Sequence, residues 1–210
     1  MAQGKTQGPG NRSTRFLLIL LILLLAGGAF LLWQRPQGPR GNIEGAAIGG
    51  DFALVDETGK AVTSASYDGL WRLMYFGFTF CPDICPTDTA KLAAGLAAFE
   101  KADPARAARV VPLFVTVDPA RDTPEALAAF TASFHPRLVG LTGTPEQVDA
   151  ALKRFRIYAR RVEGATPGSY LYDHMAAIYL FDPAGRPVAF IAGPEATPQA
   201  VTAMLEAHVR

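Results

Sequence analysis

Leu70-Trp71-Arg72-Leu73-Met74-Tyr75-Phe76-Gly77-Phe78-Thr79-Phe80-Cys81-Pro82-Asp83-Ile84-Cys85-Pro86 is the stretch on which the fold turns. Its first nine residues are aromatic and aliphatic with hardly a break. A run so continuously apolar has no wet face and reads as a central strand buried on both sides. The strand leads directly into Cys81 and Cys85, the only two cysteines among 210 residues. Pro86 suits the first position of a following helix, and Leu92, Leu96 and Phe99 then recur at helical spacing. A helix N-terminus presents unpaired N–H groups and positive dipole to both sulfurs. It favours the thiolates that metal capture and disulfide exchange both require.

Working outward, Val110 to Val117 is a second buried strand despite its early proline. Thr123-Pro124, Thr144-Pro145 and Thr197-Pro198 each place a capping hydroxyl before a proline at the first helical position, which predicts three more helices. Thr144 with Gln147 fits a capping box. Leu138 to Leu141, Ala176 to Phe181 and Val188 to Ala192 are short apolar strands, the last two joined through Asp182-Pro183-Ala184-Gly185 as a hairpin. Upstream, 51–54 and 60–63 flank Asp56-Glu57-Thr58-Gly59 as a small N-terminal hairpin. Strands alternating with helices, closed by a hairpin and a terminal helix, predict an α/β fold of thioredoxin type, a mixed central sheet flanked by helices.

Three residues separate the cysteines, one more than thioredoxin-like reductases usually carry, a wider turn on which two sulfurs can converge on one soft ion. A structural disulfide closing so short a turn gains little loop-closure entropy, and Pro82 and Pro86 already stiffen it. Two thiolates do not close a stable site, so a third donor is expected from elsewhere in the chain. Of three histidines, His135 precedes Pro136 in a helix-ending loop and His208 lies in the last turn of the terminal helix. His174 opens a strand with Tyr172 and Asp173 just after the loop Gly164-Ala165-Thr166-Pro167-Gly168-Ser169, where such folds place function. Two thiolates with one imidazole suit Cu(I) or Zn(II). Zinc is left short of its tetrahedron unless water completes it, whereas Cu(I) is content with three ligands. Asp173 is a candidate to orient His174 from behind, and equally a cap at the strand start. Met74 and Met175 are further soft donors, though strand methionines usually fill cores.

At these residues the sequence resembles the Sco/SenC family. The stretch from Tyr75 to Pro86 looks like the family's cysteine signature. Val115-Thr116-Val117-Asp118-Pro119-Ala120-Arg121-Asp122-Thr123 and Leu138-Val139-Gly140-Leu141-Thr142-Gly143 are similar to its central landmarks, and Tyr172-Asp173-His174 to its distal histidine motif. The resemblance implies a thioredoxin-fold protein that binds one copper ion through Cys81, Cys85 and His174. It further implies delivery of that copper to the dinuclear copper site of cytochrome c oxidase, or reduction of the client's cysteines. The expected partners are the copper-bearing oxidase subunit or another copper client, and a thiol reductant. A carrier is expected rather than a conventional enzyme, with thiol–disulfide reductase as the alternative, in which Cys81 and Cys85 act as a redox pair and His174 is dispensable. A peroxiredoxin would want Pro, Thr and Cys at set offsets, and Tyr75 stands where that proline should be.

Residues 16–33 carry no charge and, at about 1.5 Å rise per residue, come close to spanning a hydrocarbon core of roughly 30 Å. They are expected to be a single transmembrane anchor rather than a cleaved signal peptide, because the apolar run resumes after Ala26-Gly27-Gly28-Ala29 and ends on Trp33. Lys5, Arg12 and Arg15 before it against Arg35 and Arg40 after it favour a cytoplasmic tail over 1–15. Residues 34–50, rich in Pro and Gly, read as a linker to a domain at 51–210 on the extracytoplasmic side. The short tail does not fit an Arg-rich transit peptide, so the expected location is a bacterial inner membrane with the domain in the periplasm. From Gly41 onward 15 basic residues face 19 acidic ones. The domain thus lacks the basic field that nucleic acid requires.

Overall fold

The computed structural model describes residues 11–33 and 41–210, with side chains for 16–28 and 41–210. Two units are distinct, the first within residues 1–37 and the second from Gly38 to Arg210. In the first, α1 (Asn11–Trp33) is a helix whose described side chains, from Phe16 to Gly28, are all exposed. Among the described residues no helix is long and apolar enough to cross a membrane. Residues 1–10 of the expected tail and 34–40 of the expected linker lie outside the described residues.

The second unit is built on β3 (Trp71–Gly77), whose Leu73, Met74, Tyr75 and Phe76 are at most 1% exposed. This is the doubly buried strand that its apolar run predicts. It pairs in parallel with β4 (Val110–Thr116) and antiparallel with β8 (Ala177–Phe181). Around it stand β1 (Ala53–Asp56), β2 (Ala61–Thr63), β5 (Val139–Thr142) and β9 (Pro187–Ala192), giving one mixed sheet in the order β2-β1-β5-β4-β3-β8-β9. The N-terminal hairpin is therefore an edge of the main sheet, because β1 also pairs antiparallel with β5.

Helix α2 (Ile84–Ala102) and α4 (Pro124–Ala132) lie over the sheet face that carries Tyr75, Phe114 and Gly140, where Phe114 meets Phe130 and Gly140 meets Leu127. The opposite face carries Phe76 and Tyr179, with Phe155 from the end of α5 (Pro145–Arg154) packed on Phe76. Thr123, Thr144 and Thr197 cap α4, α5 and α6 (Pro198–His208) through their hydroxyls, as their Thr-Pro pairs predict, and Gln147 completes the capping box. A short helix, α3 (Pro104–Ala107), precedes β4 without an apolar period to announce it.

Beyond α5 the structure differs from the expected order of strands. Arg156, with φ of 53°, ends that helix in a left-handed turn closed by the Ile157 amide on the Leu152 carbonyl. The chain then forms a separate hairpin of β6 (Ala159–Glu163) and β7 (Tyr170–His174) outside the main sheet. His174 closes β7 rather than opening a strand, and it pairs with Ala159 at the hairpin's base. Residues 164–169 are the opposite tip. The strand β6 escaped notice because its sequence, Ala-Arg-Arg-Val-Glu, has no buried face to impose alternation.

Close approach of α2 and α6 depends on Gly95, where a Cβ would stand 2.5 Å from the Val201 Cβ and 2.7 Å from the Pro198 carbonyl oxygen. Overpacking of this kind costs about 1–3 kcal/mol and outweighs the few tenths regained in helix propensity. Gly95→Val should therefore lower the denaturant midpoint with little change in its slope. An unaltered midpoint would show that the two helices have room to spare.

Candidate metal centre

The site is assembled where β3 ends. Gly77 is the last strand residue, and a Cβ there would come within 2.8 Å of the Tyr75 ring and 3.0 Å of the Cys85 sulfur. Only glycine lets the strand pass so close under the sulfur. The chain then turns through Thr79 and Phe80 to Cys81, and α2 begins at Ile84 with Asp83 as its N-cap residue. Pro86 is thus the third helical residue, not the first as expected. Cys85 is the second.

Asp83 makes no side-chain capping bond. Its place is taken by the Cys81 sulfur, which accepts the Cys85 backbone N–H at 3.3 Å. A sulfur in this position gains from the helix dipole and from a donor that would otherwise lack a partner. Cys81 is pulled down to about 3, chiefly by a hydrogen bond from the Cys85 thiol, against the opposing effect of burial, with His174 and the Cys85 and Asp83 amides adding to the pull. Cys85, fully buried, is pushed up by that same bond to Cys81 and by desolvation. These opposite shifts favour the charge on Cys81 and the proton on Cys85. Both cysteines are free thiols.

His174 arrives from 89 residues away, its Nε2 lying 3.3 Å from the Cys85 sulfur. Its Nδ1 lies 3.2 Å from the Met175 carbonyl oxygen. A carbonyl only accepts, so Nδ1 is the donor in that contact, and a neutral ring of this tautomer turns its Nε2 lone pair toward the sulfur. Phe78 and Tyr75 frame the imidazole edge-on, with ring centroids 5.8 and 6.5 Å away. Asp173 does not orient the ring. Residues of β7 alternate, so Tyr170, Tyr172 and His174 face the body of the domain while Leu171 and Asp173 face out. Asp173 lies 3.3 Å from the Tyr158 hydroxyl and 3.6 Å from the Arg160 guanidinium.

The remaining candidates are engaged elsewhere. His135 is buried against Glu100 and accepts the Arg137 amide, and His208 ends α6. Met74 is core, and the Met175 sulfur accepts the Tyr179 hydroxyl at 2.9 Å. Among the described residues no group of three or more His, Cys, Asp and Glu is already arranged as a metal cluster. What stands ready is the Cys85–His174 contact, with Cys81 joined to it through the Cys85 amide. Two sulfurs and an imidazole nitrogen form a soft donor set.

Two polar supports went unread in the sequence. Asp122, fully buried, accepts the Thr79 amide at 3.1 Å, the Thr79 hydroxyl at 2.6 Å and the Thr116 hydroxyl at 2.5 Å, fixing the loop that leads to Cys81. Burial raises its carboxyl, and the two threonines counter that rise. Asp88, one helical turn after Cys85, is also buried, lying 3.0 Å from Lys91 and 3.4 Å from the Tyr75 hydroxyl. Burial first, with the Asp88 carboxylate beside it, keeps that phenol protonated. Asp122 stands in the stretch from Val115 to Thr123 singled out in the sequence, with no role assigned to it there, and the only local signal for Asp88 is a charged residue on a buried helix face.

Comparison with known proteins bears on the whole domain. The SCO1/SenC family model matches residues 40–210. The bovine (Bos taurus) protein described as "Protein SCO2 homolog, mitochondrial" is 43% identical over 87% of this chain and 70% of its own length. A structure of Bradyrhizobium japonicum ScoI with copper bound is 40% identical and superposes with a TM-score of 0.69, covering 77% of this chain and 99% of that one. BsSco, described as a member of the Sco family of cytochrome c oxidase assembly proteins with a disulfide switch, is 26% identical with a TM-score of 0.61, covering 83% and 97%.

The unequal cysteines can be tested directly. In the reduced protein, iodoacetamide should modify Cys81 at a rate that stays flat from about pH 5 to pH 8, where an ordinary thiol accelerates roughly a thousandfold. Mass spectrometry of the labelled peptide distinguishes the two sites, and a midpoint near pH 8.5 at Cys81 would contradict the thiolate assignment.

Proposed function

The chain belongs to the SCO1/SenC family, and on that footing we propose that it is a membrane-anchored copper metallochaperone. It takes one copper ion on Cys81, Cys85 and His174 and delivers it to the dinuclear copper site of cytochrome c oxidase. The observation that carries this reading is the 3.3 Å approach of the His174 Nε2 to the Cys85 sulfur, beside a second sulfur at a helix N-terminus. Copper bound to a relative with 40% identity supports the choice of metal. Cu(I) accepts three soft donors without strain. Cys81 is poised to take the ion as a thiolate, and Cys85 must release its proton as it joins, so uptake liberates protons.

The anchor is part of the same proposal. The 18 uncharged residues at 16–33 fall within the helix α1, and the basic residues before it favour a cytoplasmic tail. The domain at 51–210 then faces the periplasm of a bacterial inner membrane.

A second reading, thiol–disulfide reductase, is favoured by the opposite shifts of the two thiols, Cys81 pulled down and Cys85 pushed up. Cys81 as thiolate attacks one sulfur of a client disulfide and expels the other as a thiolate. Cys85, giving its proton to the expelled sulfur, then attacks Cys81. The products are a Cys81–Cys85 disulfide and a client reduced by two electrons, one sulfur a thiol and the other a thiolate that takes its proton from water, and an external dithiol resets the pair. His174 has no part in this sequence of steps.

The two readings separate by experiment. Anaerobic Cu(I) titration of the reduced protein should give one ion per chain. His174→Ala should weaken binding at least about tenfold, the scale on which even outer partners of metal ligands act. Cys81→Ser and Cys85→Ser should abolish tight binding. Undiminished affinity in His174→Ala would remove the histidine from the site, and reduction of a disulfide peptide by that variant at the wild-type rate, without copper uptake by the parent, would leave the reductase. Protein oxidised to the Cys81–Cys85 disulfide should take no copper, and stoichiometric uptake in that state would overturn the thiolate ligation.

A further inference from the structure

The stretch from Val115 to Thr123 contributes no donor to the metal site, yet it reaches both sides of it. His174 sits on a hairpin that shares no ladder with the main sheet. Two strands alone are only marginally stable in water, so side chains must hold β6 and β7 in place. The inward residues of β7 mark where they are held. Tyr172 packs edge-on against Phe78, and Tyr170 donates its hydroxyl to Asp118 at 3.0 Å.

Arg121 joins these parts. Its Nε pairs with the fully buried Asp118 carboxylate, and its Nη1 donates to the Tyr170 carbonyl at 3.1 Å. Its guanidinium carbon lies 3.7 Å from the Tyr170 ring centroid and 4.8 Å from that of Phe80, with Phe78 at 5.9 Å. Phe78 and Phe80 belong to the loop that carries Cys81, and Tyr170 belongs to the strand that carries His174. One planar cation thus bridges the cysteine loop and the histidine hairpin. Arg161 covers Tyr170 at 3.8 Å and adds to its hold. The Arg121 Nη2 is buried without a protein partner among the described residues, a cost that simple packing would avoid with an apolar residue.

We propose that Arg121 is a positioning residue, which through Asp118 and Tyr170 clamps the β6–β7 hairpin so that the His174 imidazole stays over the two sulfurs. The inference rests on the copper-site reading above for its purpose, and on the side-chain contacts of the folded chain for its existence. Within five residues, the segment holds both halves of the donor set, Asp122 fixing the cysteine side and Asp118 with Arg121 the histidine side.

The test compares wild type with Arg121→Lys, which keeps the charge beside Asp118 but loses the planar fork, and with Tyr170→Ala. Hydrogen exchange in the metal-free proteins should show amides of 159–163 and 170–174 exchanging about tenfold faster in both variants, with β3 and β4 protection unchanged. X-ray absorption of the Cu(I)-loaded variants should retain the sulfur shell and lose most of the imidazole nitrogen signal. His174→Ala should lose that signal while keeping hairpin protection. Unchanged hairpin exchange in both variants, or an undiminished nitrogen shell, overturns the clamp. If Arg121→Lys loses β3 and β4 protection and so fails to fold, Tyr170→Ala, altered outside the main sheet, decides. Should wild type itself show no nitrogen shell, the three-ligand reading fails, and hydrogen exchange still judges the clamp on its own.

Discussion

A fully buried sulfur facing an imidazole nitrogen is the contact on which the rest of this domain depends. Cys85 reaches that position because β3 runs through the middle of the sheet and ends in a glycine, so that the first turn of α2 can close over the strand. His174 reaches it because the chain leaves α5 by a left-handed turn and folds back as a hairpin beside the sheet's end. Neither residue is placed by its own neighbourhood alone. Parallel pairing of β3 with β4 brings the loops after both strands to one edge, where open α/β sheets gather their chemistry.

Electrostatics then divide the labour between two chemically identical side chains. Cys81 is half-exposed, accepts a helix amide and bears the charge, whereas Cys85 is buried and keeps its proton. That asymmetry serves a metal carrier, which needs an accessible first ligand and a sheltered second one. It serves thiol exchange equally well, with an attacking and a resolving sulfur. One geometry supports both chemistries, and loss of the imidazole separates them, since a third metal donor is needed for the first while the thiol exchange written above proceeds without it. The Met175 carbonyl is the partner of the ring's other nitrogen, a role for which the sequence offers Asp173 as a candidate and equally as a strand-start cap.

Buried acids around the site act as struts. Asp122 satisfies three donors from two elements, and so a carboxylate that burial alone would make costly becomes a fixed point for the cysteine loop. Asp118 does the same for the hairpin, with Arg121 as its charge partner. Polar networks of this kind specify one arrangement where apolar packing would tolerate several.

Much of the architecture was legible in the chain itself, because its signals are local. The apolar run before Cys81 admits only a doubly buried strand, and each Thr-Pro pair supplies a hydroxyl and a fixed φ where a helix must start. Two cysteines at a strand-to-helix junction announce soft-ligand or redox chemistry within a single turn. Tertiary structure alone decided what lies between distant residues. It joined His174 to Cys85 across 89 positions and Asp122 to Thr79 across 43, set β6 and β7 apart from the sheet, and made the N-terminal hairpin its edge. It also turned Asp173 outward, since strand alternation sends neighbours to opposite faces and only the packed fold says which face looks inward. Local propensity acts over a few bonds. A hydrogen bond between remote residues exists only once the core has closed around them, and that closure was not written in any one stretch.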